Sequence, residues 1–231
     1  MPSIVSLMEC ARPALVFSLP RNDPDLATAA LDAGADALKV HIHALHQASG
    51  TAFGPLAAER PALERIRAAT DRPIGVVVGD RSGMATPGEL AELAAMGFDF
   101  IDAYTRHMPA WMLSVPGVEK MGALAAEDTP VDWAAFGRVF DCVEAAVVEH
   151  DRYGAPMNAH DVARYATICC AVGVPVVIPT QLAIRSDDVS LLATAGMSAL
   201  MIGAIVTGKE PASVAVACEA YHAACAGARG Q

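Results

Sequence analysis

Apolar and polar positions alternate along this chain in short bursts, separated by stretches with a helical period. "ALVFSL" (14–19), "DALKVHI" (36–42), "PIGVVVG" (73–79), "FDFIDAY" (98–104), "VEKMGAL" (118–124), "EAAVVEH" (144–150), "PVVIPT" (175–180) and "ALMIGAIV" (199–206) all read as strands. Helical segments lie between them. Asp23-Pro24, Thr86-Pro87 and Ser186 mark helix starts, and glycine closes the helices in "DAGAD", "AAMGFD" and "ATAGMS". No linker or low-complexity block interrupts the alternation. Eight βα units of this size predict an α/β protein with one (β/α)8 TIM barrel over residues 1–231. A doubly wound open sheet is the alternative, but no G-x-G-x-x-G follows the first strand.

A barrel turns one side of each strand toward helices and the other toward its lumen, where chemistry gathers at the C-terminal strand ends. On strand two, Leu38, Val40 and Ile42 suit the outer side, which sends Lys39, His41 and His43 inward. The chain has only three lysines, Lys39, Lys120 and Lys209, so one inside an apolar strand calls for a local reason. A lone buried ammonium is costly, so burial would lower its pKa and release a neutral, nucleophilic amine. Lys120 falls in strand five, and if it faces inward the two amines approach one lumen. Asp102 and Glu149 at strand ends complete an acid/base set with His41, while Asp80, Tyr104, His150 and Gln181 are further polar candidates. The bland alternative is that the lysines sit in internal ion pairs with Asp36, Asp102 or Glu149. His41 and His43, with His46 beyond, also allow a metal reading, although Lys39 is a poor neighbour for a dication; no metal or other cofactor is expected.

Composition narrows the partners. A formal net charge of −10 argues against nucleic acid and anionic membranes, so an anionic substrate would need a local patch. No apolar run approaches the ~18 residues of a membrane span, and "MPSIVSLMECARPALVF" lacks the pattern of a secretory leader. A cytoplasmic location is expected. The six cysteines show no C-x-x-C pair and read as small core residues. "HMPAWMLSVPG" (107–117), with Met108, Trp111 and Met112, suggests an apolar contact surface and hence a homodimer or larger assembly.

"RPIGVVVGD", "TPGELAELAAMGFDFIDAY" and "SDDVSLLATAGMSALMIGAIVTGKEP" together resemble the ribulose-phosphate-binding barrels, among them the N-acylmannosamine-6-phosphate epimerase and indole-glycerol-phosphate synthase groups. The resemblance implies a phosphate held by backbone amides after strands seven and eight, here at Gly203 and Ala204, with Gln181 nearby. "PTQLAI" stands where those barrels have a glycine-containing turn, and Gly79 where the epimerases carry a lysine. "GADALKV" is also similar to the Schiff-base strand of class I aldolases. The resulting expectation is a lysine-dependent lyase or isomerase acting on a small phosphorylated carbonyl compound. Lys39 would form an imine or hold a developing oxyanion, with Lys120 as its electrostatic partner. A His-ligated metal-dependent epimerase or hydrolase, and a non-catalytic metabolite-binding barrel, are the alternatives.

Overall fold

Closure of the strands into a cylinder decides which side chains share the interior. In the computed structural model, which describes residues 3–228, eight parallel strands form a closed ring. They are β1 (Ala14–Ser18), β2 (Ala37–His41), β3 (Ile74–Val77), β4 (Phe100–Tyr104), β5 (Glu119–Ala123), β6 (Cys142–Glu144), β7 (Val176–Pro179) and β8 (Ala199–Ile202), and β8 pairs with β1 to close it. This is the expected (β/α)8 barrel; residues 1–2 and 229–231 of the expected unit lie outside the described residues.

The outer layer follows the start and stop signals. Helices α1 (Ile4–Met8), α2 (Pro24–Asp32), α3 (Leu56–Ala68), α4 (Pro87–Ala95), α5 (Pro130–Phe136), α6 (Ala159–Val172), α7 (Val189–Thr194), α8 (Ala204–Thr207) and α9 (Pro211–Gly227) surround or close the ring. Asp23 caps α2, and Thr86 with Glu89 forms a reciprocal capping box on α4. The recurring glycines Gly34, Gly97 and Gly196 all take positive φ where a helix turns back toward a strand.

Two strands differ from their sequence pattern. β6 covers 142–144, so most of "EAAVVEH" is loop; β8 ends at Ile202, because Gly203 turns the chain into the short α8. Segment 107–117, read as an apolar contact surface, is divided between core and solvent. It forms a 3-10 turn (Ala110–Ser114) that buries Met112 completely and leaves Trp111 39% exposed. No described helix is long and apolar enough to cross a membrane.

Below the mouth the interior is apolar. Val16, Phe100, Met121, Cys142, Val177 and Met201 fill it, and Ile4 and Met8 of α1 plug the N-terminal end. Glu119 accepts hydrogen bonds from the Ile4 and Val5 amides, which places a carboxylate at the α1 N-terminus and fixes the plug. On β3, Gly75 makes room for the Phe100 ring, whose atoms would lie 1.9 Å from an added Cβ. Gly75→Ala is expected to cost roughly 1–3 kcal/mol through overpacking. Chemical denaturation would measure it, and an unchanged midpoint would mean that the ring is not held at that position.

Candidate active site

The apolar lower barrel is what makes a buried cation above it consequential. Lys39 stands in the middle of the inner face of β2, 5% exposed, above this dry floor. Its Nζ lies 2.8 Å from Asp102 Oδ2 of β4 and 2.6 Å from Glu144 Oε2 of β6. Both carboxylates are buried too. Burial alone would lower the lysine pKa, but the Asp102 and Glu144 charges outweigh it and raise the pKa above the ordinary value. The expected neutral amine is therefore corrected to a firmly protonated one. Glu144 moves the other way for a carboxyl: burial, with Asp102 alongside, raises its pKa despite the ammonium. An ammonium has three N–H donors and two are engaged here, leaving one for the cavity above.

That cavity, about 860 Å³, opens at the C-terminal strand ends. Its rear wall holds His41, stacked on Phe53 with centroids 4.7 Å apart and tilted against His46 at 4.6 Å. Burial, with His46 and Lys39 adding to it, holds the His41 pKa well below the usual imidazole range, and His46 is pushed down to about 4 by burial and the Lys39 charge. Both rings are neutral at pH 7. His46 Nδ1 is 2.7 Å from Ser49 Oγ within a hairpin of Leu45–His46 and Thr51–Ala52, and Lys209 Nζ, between α8 and α9, donates to the Ser49 carbonyl. Asp80 accepts from the Leu45 amide and thereby ties this hairpin to the loop after β3.

The sequence-predicted residues divide cleanly. Lys39, His41 and Asp102 line the cavity as expected, and Tyr104, Asp80 and His150 stand on its wall or rim. Lys120 does not: Met121 has the inward parity on β5, so Lys120 faces outward and lies outside the cavity lining. His43 is also displaced. It adopts φ +52 just past β2 and pairs through Nε2 with Glu89 Oε1 at 2.8 Å, so His41 and His43 diverge and share no ligand position. Among the described residues no group of three or more His, Cys, Asp or Glu side chains could hold a metal ion.

Glu149 lies exposed at the rim, and Glu144, five residues earlier, is the carboxylate that meets Lys39. Parity along "CVE" could have found it, since Val143 and Ala145 belong to the outer core and leave Cys142 and Glu144 inside. Tyr153, missed as well, sits in the loop after β6, where no period signals it. Gln181 lines the cavity but both ends of its amide are engaged, Oε1 by the Val148 amide and Nε2 by the Tyr153 hydroxyl. The Gly203 amide donates to Thr180 Oγ1 at 3.1 Å, which corrects the expectation that it is free to bind an anion; Ala204 opens the one-turn α8 and is not part of the cavity lining. Five carboxylate side chains and three cationic ones line the cavity, so it does not form a basic patch for a phosphate.

The fold is similar to that of solved structures of low sequence identity. Tryptophan synthase of Mycobacterium tuberculosis matches with a TM-score of 0.69 and 14% identity, covering 97% of this chain and 99% of that one. The tryptophan synthase alpha-subunit of Pyrococcus furiosus matches at 0.68 and 16%, covering 91% and 98%. A protein of Aquifex aeolicus VF5 matches at 0.72 and 12%, covering 97% and 99%. At these identities the likeness is one of fold. No family model matches the chain, and comparison with curated proteins finds no relative.

Removing the cation tests the electrostatics. Lys39→Met leaves two buried carboxyls without a partner and is expected to cost about 3–5 kcal/mol at neutral pH. The sign with pH follows. A carboxyl with a raised folded pKa, as Glu144 has, costs stability once it ionises, so the deficit of Lys39→Met should shrink as pH falls toward 4 and grow as it rises. Adding Glu144→Gln should restore part of the loss at pH 7. Melting curves of the three proteins from pH 4 to 8 would measure this, and a pH-independent deficit would contradict the ion cluster.

Proposed function

We propose that this barrel is an enzyme of the lyase or isomerase kind, moving a proton beside the carbonyl group of a small compound. The carrying observation is a protonated Lys39 with one unspent N–H, directly beside a carboxyl whose pKa is raised. When a C–H bond next to a carbonyl is broken, its electron pair becomes the C=C bond and the carbonyl π pair moves onto oxygen. Lys39 would hold that developing oxyanion, and Glu144 would carry the proton, since a carboxyl with a pKa nearer neutrality can both take and return it. Asp102 keeps the ammonium charged and in place. Neutral His41 and His46 form the wall against which the substrate lies. That barrels of similar fold serve in tryptophan synthases supports an enzyme of this general kind.

The amine acts here as an electrostatic group rather than a nucleophile, because two carboxylates hold it protonated. A phosphate on the substrate is not part of the reading, given the engaged Gly203 amide and the lining charges.

Dihydroxyacetone, glyceraldehyde and their phosphate esters, incubated with the protein in D₂O, would report proton abstraction by NMR as replacement of C–H by C–D. Exchange is expected with at least one unphosphorylated compound and is expected to fall at least ~10²-fold in Glu144→Gln. Equal exchange in the variant, or none with any of the four, would reject the reading.

A further inference from the structure

Gln181 and Tyr153 are joined in a way that fixes the direction of a proton. Gln181 Oε1 accepts from the Val148 amide at 3.2 Å, a donor that cannot reverse, so the amide orientation is set and Nε2 is the end that meets Tyr153 at 2.6 Å. Nε2 can only donate. The Tyr153 oxygen therefore accepts, and its own hydrogen must be directed away from Gln181. Tyr153 lines the cavity together with Lys39, Glu144 and Tyr104, and the Tyr104 hydroxyl is a second donor to the Tyr153 oxygen, so with Gln181 and Tyr104 both donating, the Tyr153 hydrogen is left for the cavity. After burial, the Tyr104 and Gln181 hydrogen bonds act most strongly on the Tyr153 hydroxyl, and the Glu144 and Lys39 charges are felt there as well. The Tyr153 ring is pinned edge-on against His150 with centroids 5.1 Å apart, and the Gly154 amide that follows donates to the Gln181 carbonyl. Ring, loop and hydroxyl are thus all set by the connection between the β6 and β7 loops.

We propose that Tyr153 is a second hydrogen-bond donor to the substrate oxygen, facing the free N–H of Lys39, and that Gln181 is a positioning residue that aims it. This rests on the reading of the cavity as a site that stabilises negative charge on oxygen. Two donors from opposite walls, one charged and one neutral, suit a hydroxycarbonyl compound whose oxygen becomes negative during the reaction. No proton need leave Tyr153: its pKa is raised, chiefly by burial, and a reluctant acid serves as a donor that keeps its hydrogen.

Glycolate, a small carboxylate with an adjacent hydroxyl, is a stable mimic of such an oxyanion and needs no turnover to be read. Calorimetric titration should show binding to the native protein. Tyr153→Phe keeps the ring against His150 and should raise the Kd at least ~10-fold, the range for losing a hydrogen bond to a charged group. Gln181→Glu is the sharper variant. Its carboxylate still accepts from the Val148 amide, but it would now accept from Tyr153 as well, turning the hydroxyl away from the cavity. The same weakening is expected there. Repulsion by the new charge would act equally in either background, so if the direction of the hydroxyl is what is lost, Gln181→Glu should weaken binding little further in Tyr153→Phe, whereas a purely structural Tyr153 would leave the two effects additive. Unchanged affinity in both variants, loss confined to Tyr104→Phe, or no glycolate binding to the native protein would overturn the proposal. Glycolate binding that depends on Tyr153 in a protein without C–H exchange would uphold the donor pair and reject the proton-transfer reading alone.

Discussion

One ammonium enclosed by two carboxylates, at 2.8 and 2.6 Å, is the interaction around which the upper half of this barrel is arranged. It joins β2, β4 and β6, alternate strands of the ring, across a lumen that is apolar beneath it. Charges so placed are tolerable only around the cation, because removing the ammonium leaves two carboxyls uncompensated in a dry interior. Such a cluster is weak evidence for stability in itself, since well-packed apolar side chains could fill the same volume. Its presence at the base of an open cavity is better explained by what the charges can do there.

The cluster carries one charge imbalance that matters chemically. Two carboxyls share one cation, and burial resists a net negative charge, so Glu144 is held closer to its protonated form than a surface glutamate. The ammonium stays charged, the carboxyl can exchange its proton, and the imidazoles on the wall remain neutral. Three kinds of titratable side chain thus occupy three different protonation regimes within one cavity, set by burial and by each other's charge.

Rigid surroundings hold these groups in register. α1 and its Glu119 anchor close the barrel below, the Gly75 gap admits Phe100, and the Lys209 contact to Ser49 ties the hairpin of His46 to the segment between α8 and α9. Gln181, read from the sequence as a ligand contact, joins the β6 and β7 loops instead, so its influence on the cavity passes through Tyr153.

The alternation of eight strand-like bursts with capped helices was enough to determine the barrel, because the periods of two and 3.6 and the punctuating glycines are local properties. The same parity placed Lys39, His41 and Asp102 inside, where the ring indeed puts them. It misled wherever the strand phase was one residue off or the strand had already ended. Lys120 lies on the outer parity of β5, His43 escapes into a left-handed turn, and β6 ends at Glu144 rather than running to Glu149. Only the closed ring decided that Lys39 meets residues 63 and 105 positions away, and this meeting reversed the sign of its expected pKa shift. Burial alone is legible from a strand pattern; the charges that answer it come from other strands, and their distance depends on how the cylinder closes.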